Sequence, residues 1–358
     1  MKKRIALIGP YPPPIGGVSV HIQRLARVLQ ECGLDYIIFD EANEKKIVKD
    51  LNYQPISNFK LWLLKYLFWC KDKVIHYHSR NWYVIFLLSI TAIIHHSKLI
   101  VTLHSFREEP NNFNVFQKLF FRYAIKMVHH FIAVGENEKN KLIQYNCDPK
   151  KISVIPAFIV PKYQEEDDKL IPSSIWDFMK NNDINIVANA FQISFYKGQD
   201  LYGIDMCIDL CIKLKKNFCN NRIGFVFCLP EIGDIDYFNK IKNHIKTNKI
   251  EDRFIFVNEK IPLYPILSKA DIFVRPTNTD GDAISIREAL YYKIPTIASD
   301  VVERPKGTII FANRNYQNFY NQVSNVINKY NMYRDKLSNL EMADSTDKIV
   351  KIYLDLIV

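Results

Sequence analysis

The sequence predicts an α/β protein with two Rossmann-like domains, each built on a parallel sheet. Short apolar runs typical of buried strands alternate with segments of helical period along the whole chain. The 358 residues suffice for two separate cores, and 48% of them are hydrophobic. A proline-flanked stretch at residues 155–161, followed by a polar run to residue 169, divides the alternation near its middle and predicts a linker.

The first half contains five strand signals separated by four helical segments. Apolar runs predict strands at residues 4–9, 36–39, 74–77, 99–103 and 131–134. Helical spacing predicts helices at residues 18–32, 59–70, 82–94 and 115–128, the first of which stops at Gly33. The apolar run within 82–94 is about 13 residues long, below the roughly 20 that span a bilayer, so we expect it to be buried against a sheet. Repeated βα units of this kind imply a parallel sheet with helices on both faces.

The same alternation resumes in the second half. We expect strands at residues 184–188, 223–228, 254–257, 270–276 and 296–298, and helices at 201–214, 235–245, 263–267, from 283 onward, 316–327 and 348–356. The predicted domains are residues 1–160 and 161–340, with a C-terminal helix in 341–358 that packs back on the first domain. We expect the ligand in a central cleft faced by the carboxyl ends of the strands of both domains.

Composition limits the class of protein and its compartment. The 7 cysteines are odd in number and form no CxxC pair, and residues 1–4 lead directly into a strand signal without a secretory segment. These features favour the reducing cytoplasm. The net charge of +10 lies entirely in the first half, because residues 1–160 contain 22 Lys and Arg against 12 Asp and Glu. Such a domain favours an anionic partner, whether phospholipid, lipid diphosphate or nucleic acid.

Residues 280–288 (DGDAISIRE) carry two carboxylates eight positions apart, across a Gly turn and a helix start. A buried strand, a Gly turn and a helix N-terminus leave backbone N–H groups directed at one point, where a diphosphate is favoured. Glu288, near the second helical turn, could accept two hydrogen bonds from a vicinal diol such as ribose. The alternative interpretation is that Asp280 and Asp282 cap the helix and that Glu288 is a solvated surface acid.

The first βα turn, residues 9–18 (GPYPPPIGGV), is the second motif. Gly16 and Gly17 allow the backbone to approach a ligand closely at the mouth of the first helix, while the prolines stiffen the loop. A rigid loop with a glycine helix start is the alternative interpretation.

Three motifs in this order resemble the family 4 retaining glycosyltransferases of the GT-B fold. They are the P-x-x-G-G-V turn, the Lys197-Gly198 pair after the first strand of the second domain, and the acid-x7-Glu segment at residues 280–288. The resemblance covers essentially the whole chain. It implies that a sugar passes from a nucleotide diphosphate sugar to an acceptor.

The resemblance also implies roles for individual residues. The catalytic candidates are His104, near the hydroxyls of the transferred sugar, Lys197, at the donor phosphate, and Asp280. Without the resemblance, a lone His that ends a strand is more often structural. We call residues 280–288 the clamp. The donor-binding candidates are the loop glycines, the phosphate lysine, the clamp residues with the ribose-binding acid, and one arginine that is added as a hypothesis: Gly16, Gly17, Lys197, Asp280, Gly281, Asp282, Ala283, Ile284, Glu288 and Arg275.

Two departures from the family pattern affect these expectations. The family usually has Glu-Gly-Phe-Gly at the head of the last motif, where this chain has residues 280–283 (DGDA), so we expect different contacts to the sugar. The family also usually places an Arg about five residues before the lysine, and residues 189–194 contain none. We hypothesise that Arg275 supplies the missing charge; the alternative is an arginine salt-bridged at a strand end.

The implied mechanism needs neither a protein nucleophile nor a cofactor. Lys197 and helix-terminus amides would stabilise the leaving diphosphate, which would take the proton of the acceptor hydroxyl on the same face. We expect a metal-independent enzyme, because the Asp-x-Asp spelling at residues 280–282 lies inside the clamp.

Residues 58–71 resemble an interfacial helix. The segment is apolar nearly all round, with Trp62 and Trp69 seven apart and lysines on its flanks. Packing inside the Rossmann layer is the competing explanation, and residues 115–126 are a second candidate. We therefore expect a cytoplasmic enzyme, peripheral on an anionic membrane, with a lipid-linked oligosaccharide or surface polysaccharide as acceptor.

Two other functions fit some of these features. A degenerate GT-B protein that binds a nucleotide sugar or a partner without transfer is one alternative. Nucleic-acid binding is disfavoured, because the aromatic residues lie in apolar helices rather than between arginines on strands.

Overall fold

The computed structural model describes residues 3–13, 15–42, 51–106, 110–342 and 344–357. The chain divides into two units. Unit 1 comprises Met1–Ile159 with Asp344–Val358, and unit 2 comprises Val160–Ala343.

Unit 1 is built on a seven-stranded sheet. Its strands are β1 (Ile5–Gly9), β2 (Tyr36–Asp40), β3 (Tyr53–Pro55), β4 (Val74–Tyr77), β5 (Lys98–Leu103), β6 (His130–Ala133) and β7 (Ile152–Val154). They run in parallel in the order β3-β2-β1-β4-β5-β6-β7. The helices α1 (Gly17–Glu31), α2 (Phe59–Trp69), α3 (Trp82–Ile94), α4 (Val115–Met127) and α5 (Glu136–Gln144) connect them, together with 3₁₀ turns at Pro110–Asn112 and Pro149–Lys151.

Two cores cover the two faces of this sheet. In β1, Ala6 and Ile8 contribute to one core while Ile5 and Leu7 contribute to the other. Successive side chains of a strand point to opposite faces, so a strand buried on both faces must be apolar throughout. This explains why β1, which is buried on both faces, appears in the sequence as an uninterrupted apolar run.

Unit 2 repeats the design with six parallel strands in its main sheet. After the helices α6 (Glu165–Lys169) and α7 (Ser173–Lys180), its strands are β8 (Ile184–Asn189), the hairpin β9 (Phe195–Tyr196) and β10 (Gln199–Asp200), β11 (Ile223–Cys228), β12 (Phe254–Val257), β13 (Ile272–Arg275), β14 (Thr296–Ser299) and β15 (Ile309–Phe311). The sheet order is β12-β11-β8-β13-β14-β15, and the hairpin stands apart from it. The remaining helices are α8 (Ile204–Asn217), α9 (Ile235–Thr247), α10 (Tyr264–Ser268), α11 (Ile284–Tyr291), α12 (Tyr316–Asn328) and α13 (Tyr330–Ser338), and the last helix α14 (Thr346–Ile357) belongs to unit 1.

The predicted class of two Rossmann-like parallel sheets is confirmed. One boundary was wrong for a clear reason. The helix expected from residue 201 begins at Ile204, because Gly203 lies at φ +69 and the Asp200 carboxylate accepts the N–H groups of Tyr202, Gly203 and Ile204. This local hydrogen bonding holds the backbone out of the helix until Ile204.

Candidate active site

The two strands that flank the change of strand order in unit 2 are β8 and β13, which lie side by side in its sheet. In open α/β sheets, ligands bind at the carboxyl ends of the strands at this point. β8 ends at Asn189 and β13 ends at Arg275. Arg275 donates from Nη1 to both the backbone carbonyl and the side-chain oxygen of Asn189, at 2.9 and 3.1 Å. The Arg275 guanidinium therefore lies beside the stretch in which the usual family arginine is missing. Its Nε and Nη2 are bonded to Asp280, which is the salt bridge at a strand end that the alternative interpretation expected, and a role for Arg275 at the diphosphate stays a prediction.

The Asp280 carboxylate is held by two arginines. Arg275 donates to it from Nε at 3.2 Å and from Nη2 at 3.3 Å, and Arg304 donates from Nη1 at 3.0 Å. The hydroxyl of Thr277 and the backbone N–H of Gly281 complete the set at 3.0 and 3.1 Å. Five protein donors thus occupy a side chain that is only 9% exposed.

These charges control the protonation of Asp280. Burial alone would raise the pKa of the carboxyl, but the charges and hydrogen bonds of Arg275 and Arg304 outweigh burial and lower the pKa to about 2. Because the carboxylate has room for about four strong hydrogen bonds, this arrangement leaves no capacity for a sugar hydroxyl. The geometry favours a role in holding the loop at residues 276–283, and a catalytic role for Asp280 stays a prediction.

Arg304 was missed by the sequence analysis. Its side chain is 2% exposed, and it donates from Nε to the carbonyl of Ser299 at 2.9 Å and from Nη2 to the hydroxyls of Thr277 and Ser299, each at 3.2 Å. The one feature of the sequence that could have indicated such a residue is the carboxylate of Asp280, because a buried carboxylate requires a cationic partner. A separation of 24 residues carries no periodicity that would have identified Arg304 as that cation.

Both aspartates of residues 280–282 are paired with arginines in the structure. The N-cap of α11 is Ala283, which makes no side-chain cap hydrogen bond. Asp282 instead pairs with Arg287, whose Nε lies 2.6 Å from its Oδ1. The first turn of α11, beginning at Ile284, therefore follows an N-cap residue whose own side chain cannot accept from its backbone N–H groups, and a helix N-terminus of this kind favours an anion.

Glu288 lies in the second turn of α11 and is 3% exposed. The interpretation of Glu288 as a solvated surface acid was therefore wrong. A buried carboxylate in this position has its orientation fixed by packing, which suits recognition of a diol. Ribose binding by Glu288 stays a prediction.

Lys197 occupies the tip of the β9–β10 hairpin. Lys197 lies at φ +50 and Gly198 at φ +75, and two central residues with positive φ are typical of the type I′ turn that suits two-residue hairpins. The Lys197 side chain is exposed, with Nζ 5.4 Å from the centroid of the Tyr196 ring. Asn278 donates to the carbonyl of Tyr196 at 3.3 Å and, from its backbone, to that of Leu201 at 2.9 Å. The hairpin is thereby attached to the loop that precedes α11.

In unit 1, Gly16 and Gly17 begin α1 directly after the loop that follows β1. Gly16 is the N-cap, and its N–H donates to the Ser19 hydroxyl at 2.9 Å. A Cβ added to Gly16 would meet no atom within 4 Å among the described residues. The space in front of this backbone is open, as the expected approach of a ligand requires.

Four histidines converge at the carboxyl ends of β4 and β5. His104 follows β5 and is half-buried, and its Nε2 lies 3.4 Å from Nδ1 of His78, which follows β4. His21 of α1 packs edge-on against His104, with ring centroids 5.1 Å apart, and His76 lies beneath His78 at 3.9 Å. Burial and the neighbouring imidazoles lower the pKa of His104 well below its usual range, so the ring is neutral at physiological pH. The expected contact of His104 with the sugar stays a prediction.

The sequence profile of Glycosyltransferase Family 4 matches residues 15–163, and that of Glycosyl transferases group 1 matches residues 178–335. The chain belongs to the family 4 glycosyltransferases. Both matches lie where the motifs had suggested, with the loop glycines in the first and the lysine hairpin and clamp in the second.

Known proteins similar to this glycosyltransferase span nearly its whole length. An Escherichia coli protein, UDP-Gal:alpha-D-GlcNAc-diphosphoundecaprenol alpha-1,3-galactosyltransferase, is 22% identical over 340 residues, covering 86% of this chain and 82% of that protein. A glycosyltransferase from Rickettsia africae ESF-5 superposes with a TM-score of 0.72 at 16% identity, covering 99% of both chains. Anabaena Alr3699/HepE in complex with UDP and glucose gives a TM-score of 0.73 at 14% identity, covering 99% of this chain and 100% of that one. The glycosyltransferase therefore has the GT-B fold.

Unit 1 of the glycosyltransferase exposes an apolar surface on three adjacent helices, which we call the α2–α4 face. α3 packs against α2 and α4, and the Phe120 ring of α4 lies 4.8 Å from the rings of both Tyr83 and Phe86 of α3. The exposed apolar side chains of this face, each at least 36% accessible, are Leu61, Leu64, Phe68, Trp69, Tyr83, Leu87, Ile93, Ile94, Val115, Phe116, Leu119 and Tyr123. Trp62, by contrast, packs inward against Tyr66, with ring centroids 4.7 Å apart.

The charges on the α2–α4 face are of one sign. Its exposed cations are Lys60, Lys65, Lys118, Arg122 and Lys126. From residue 51 to residue 106 the sequence contains one acid, Asp72, which is buried and paired with Arg4, and from residue 110 to residue 135 it contains none. No helix among the residues described is long and apolar enough to cross a bilayer.

Proposed function

We propose that this glycosyltransferase is a retaining enzyme that transfers a hexose from a nucleotide diphosphate sugar to a lipid-linked diphosphate oligosaccharide. The observation that carries the proposal is the N-terminus of α11, which follows a Gly turn, has an alanine as its N-cap and precedes the buried Glu288. The Escherichia coli relative, whose name specifies UDP-Gal and a diphosphoundecaprenol-linked acceptor, supports this choice of substrates.

The donor diphosphate would lie at the first turn of α11. The backbone amides at residues 282–284 supply hydrogen bonds and the positive end of the helix dipole. Lys197, on a hairpin attached through Asn278, supplies a mobile positive charge. Glu288, on the same helix, receives the ribose hydroxyls.

The transfer step then depends on positioning and charge stabilisation. As the bond from the anomeric carbon to the diphosphate oxygen breaks, negative charge grows on the leaving diphosphate, and Lys197 and the α11 amides stabilise it. The acceptor hydroxyl approaches on the same face of the sugar, and the leaving oxygen takes its proton. The new bond keeps the anomeric configuration, and no protein nucleophile or metal ion is required.

Donor specificity and transfer are measured in two stages. A thermal-shift screen of UDP-, GDP-, ADP- and TDP-sugars identifies the donor, because a ligand that binds only the folded state raises the melting temperature. UDP-galactose and UDP-glucose are tested first. The selected donor is then incubated with a diphospholipid-linked N-acetylglucosamine acceptor, and NMR assigns the anomeric configuration of the product. An inverted product would exclude the retaining mechanism.

A non-catalytic GT-B binding protein is the second candidate. It is favoured by the saturation of Asp280 by Arg275 and Arg304, where the family has a glutamate. It predicts a donor-dependent thermal shift with no transfer to any acceptor and no donor hydrolysis. The second stage of the assay therefore separates the two candidates.

We further propose that the α2–α4 face rests on an anionic bilayer, which places the enzyme at the cytoplasmic side of the membrane that holds its acceptor. The helices of this face carry apolar side chains and cations but no acids. The cations can pair with anionic lipid headgroups while the apolar side chains contact the acyl chains below them. The 69% exposure of Trp69 and 62% of Phe68 suit insertion at the headgroup level.

Vesicle sedimentation tests this surface. Replacing Phe68 and Trp69 together by Ser should reduce binding to phosphatidylglycerol vesicles by about 10-fold or more. Each substitution removes a large apolar side chain that would otherwise be buried in the bilayer on binding. The control is Ile235→Ser, which removes a side chain that is 64% exposed at the start of α9 in unit 2. Equal binding by the double variant and the control would refute the proposed surface.

A further inference from the structure

The histidine cluster of unit 1 has the geometry of a three-imidazole metal site. His21, His78 and His104 each offer a ring nitrogen, and these atoms lie within 4.8 Å of one another. Their ring centroids are 5.1, 5.4 and 5.7 Å apart. A tetrahedral zinc ion with Zn–N bonds of about 2.05 Å holds imidazole centroids about 5 Å apart and the nitrogens about 3.3 Å apart. Small ring rotations would therefore complete the site.

The hydrogen bonds of His21 fix which of its nitrogens carries a lone pair. Its Nδ1 lies 3.0 Å from the carbonyl oxygen of Ala157, and since a carbonyl can only accept, Nδ1 carries the proton. With the proton on Nδ1, the neutral ring has an unprotonated lone pair on Nε2. That Nε2 is buried and has no hydrogen-bond partner among the residues described.

His78 also has an unsatisfied ring nitrogen in the described structure, while its Nδ1 lies 3.4 Å from Nε2 of His104. The Nε2 of His78 is buried and without a partner within the described part of the chain, and the ring is 2% exposed. Two unsatisfied nitrogens in one buried cluster are costly unless something binds them. A divalent cation satisfies lone pairs from several imidazoles at once.

A second layer of contacts holds the rings in place. His76, stacked beneath His78, is bonded to the hydroxyl of Thr102 at 2.7 Å and to the hydroxyl of Tyr353 in α14. Gly9 lies so close that a Cβ there would come within 3.2 Å of the Cβ of His78. Support of this kind orients histidines before a metal binds and raises affinity.

We propose that His21, His78 and His104 form a binding site for Zn²⁺, with a fourth coordination position open. The site joins α1, which begins at Gly17, to the ends of β4 and β5. The proposed transfer step uses no metal. Because the family resemblance assigns His104 to the transferred sugar, bound Zn²⁺ would compete with that contact, and we measure metal binding without donor or acceptor.

The test uses the untagged full chain, freed of metal by a chelator. Zn²⁺ is titrated against a chromogenic competitor, and Co²⁺ serves as a spectroscopic probe. We expect one equivalent of Zn²⁺ to bind, and Co²⁺ to give the intense visible bands of a four- or five-coordinate site. His21→Gln should weaken Zn²⁺ binding by at least about 100-fold. The control is His95→Gln in the same unit, where the His95 ring bonds to the carbonyl of Leu67 at 2.9 Å, and this variant should bind Zn²⁺ normally.

Zinc-edge X-ray absorption of the wild-type chain provides a second measurement, which remains valid if His21→Gln does not fold. Three imidazole nitrogens in the coordination shell support the site. Fewer than three nitrogens, the absence of stoichiometric binding, or equal affinity in His21→Gln and wild type would each overturn the proposal. None of these outcomes depends on glycosyl transfer.

Discussion

At the scale of single residues, Lys197 shows how a functional role can be separated from a structural one. An exposed lysine at positive φ contributes little to stability, and Asn tolerates that conformation better than most residues. We expect Lys197→Asn to lower the rate of transfer by about 100-fold by removing the charge at the leaving diphosphate, and to change the unfolding free energy by less than about 0.5 kcal/mol.

Lys249→Asn is the matched control, because Lys249 is also exposed and lies at φ +52 in unit 2. Steady-state kinetics and urea unfolding of both variants check the prediction. A normal transfer rate in Lys197→Asn would contradict the assigned role of the lysine.

Asp280 provides a prediction of pH dependence. Its pKa is about 2 in the folded protein, below the ordinary value of 3.8, so the unfolded chain binds more protons below about pH 4 and stability rises with pH there. The contribution of the ionised carboxylate, about 2 kcal/mol from a shift of this size, is complete above about pH 4 and disappears as the pH falls toward 2.

Asp280→Asn removes this contribution and leaves Arg275 and Arg304 without their counter-ion, at an expected cost of about 3 kcal/mol or more. The difference in unfolding free energy between wild type and Asp280→Asn, measured by urea unfolding, should be constant from neutral pH to about pH 5 and narrow below about pH 4. Narrowing that begins near pH 6 would show that another group is responsible.

At the scale of elements, the start of α8 packs closely against the backbone that follows β13. Gly203 lies at φ +69, and a Cβ there would come within 2.4 Å of the carbonyl oxygen of Pro276. Any larger residue must therefore displace the backbone that follows Arg275. We expect Gly203→Ala to destabilise unit 2 by about 2 kcal/mol or more through this clash and the strained φ.

Gly198→Ala separates the two causes. Gly198 has a similar φ of +75 in the same unit, but an added Cβ would meet nothing within 4 Å in the described structure. This variant should show only the cost of the left-handed conformation, about 1 kcal/mol. Equal destabilisation in both variants, measured by chemical denaturation, would mean that the contact with Pro276 is unimportant.

At the scale of the whole molecule, the net charge of +10 lies in residues 1–160, the part of the chain that carries the α2–α4 face. Electrostatic attraction to an anionic bilayer is screened by salt, while burial of apolar side chains is not. Binding to phosphatidylglycerol vesicles should therefore fall by about 10-fold between about 0.1 and 0.5 M salt, and should be weak on zwitterionic vesicles at both concentrations. Equal binding to anionic and zwitterionic vesicles would contradict the electrostatic part of the proposal.

Periodicity and composition identified the strands that are buried on both faces and the longer helices between them. They did not identify β3, β7, β15 or the β9–β10 hairpin, which are two or three residues long. Such strands are formed by pairing with a neighbour, and a pairing partner leaves no local signal. The helices α5, α6, α7 and α13 were also missed. The sequences of α5 and α6 are mainly polar, so they show little apolar periodicity, and α7 and α13 are only eight and nine residues long.

The start of α11 shows which features of the candidate site could be predicted from local sequence and which could not. The local sequence was sufficient to predict a strand, a Gly turn and a helix at residues 270–291, because each depends on neighbouring residues. The environments of the two acids could not be predicted from neighbouring residues. Asp280 is bonded to Arg304, which lies in a distant loop, and Glu288 is buried by the packing of its helix. Likewise, His21, His78 and His104 are separate in sequence and meet because β4 and β5 end, and α1 begins, at the same edge of the sheet. Local order follows from short-range backbone preferences, whereas charge pairing and clustering depend on the strand order that brings distant segments together.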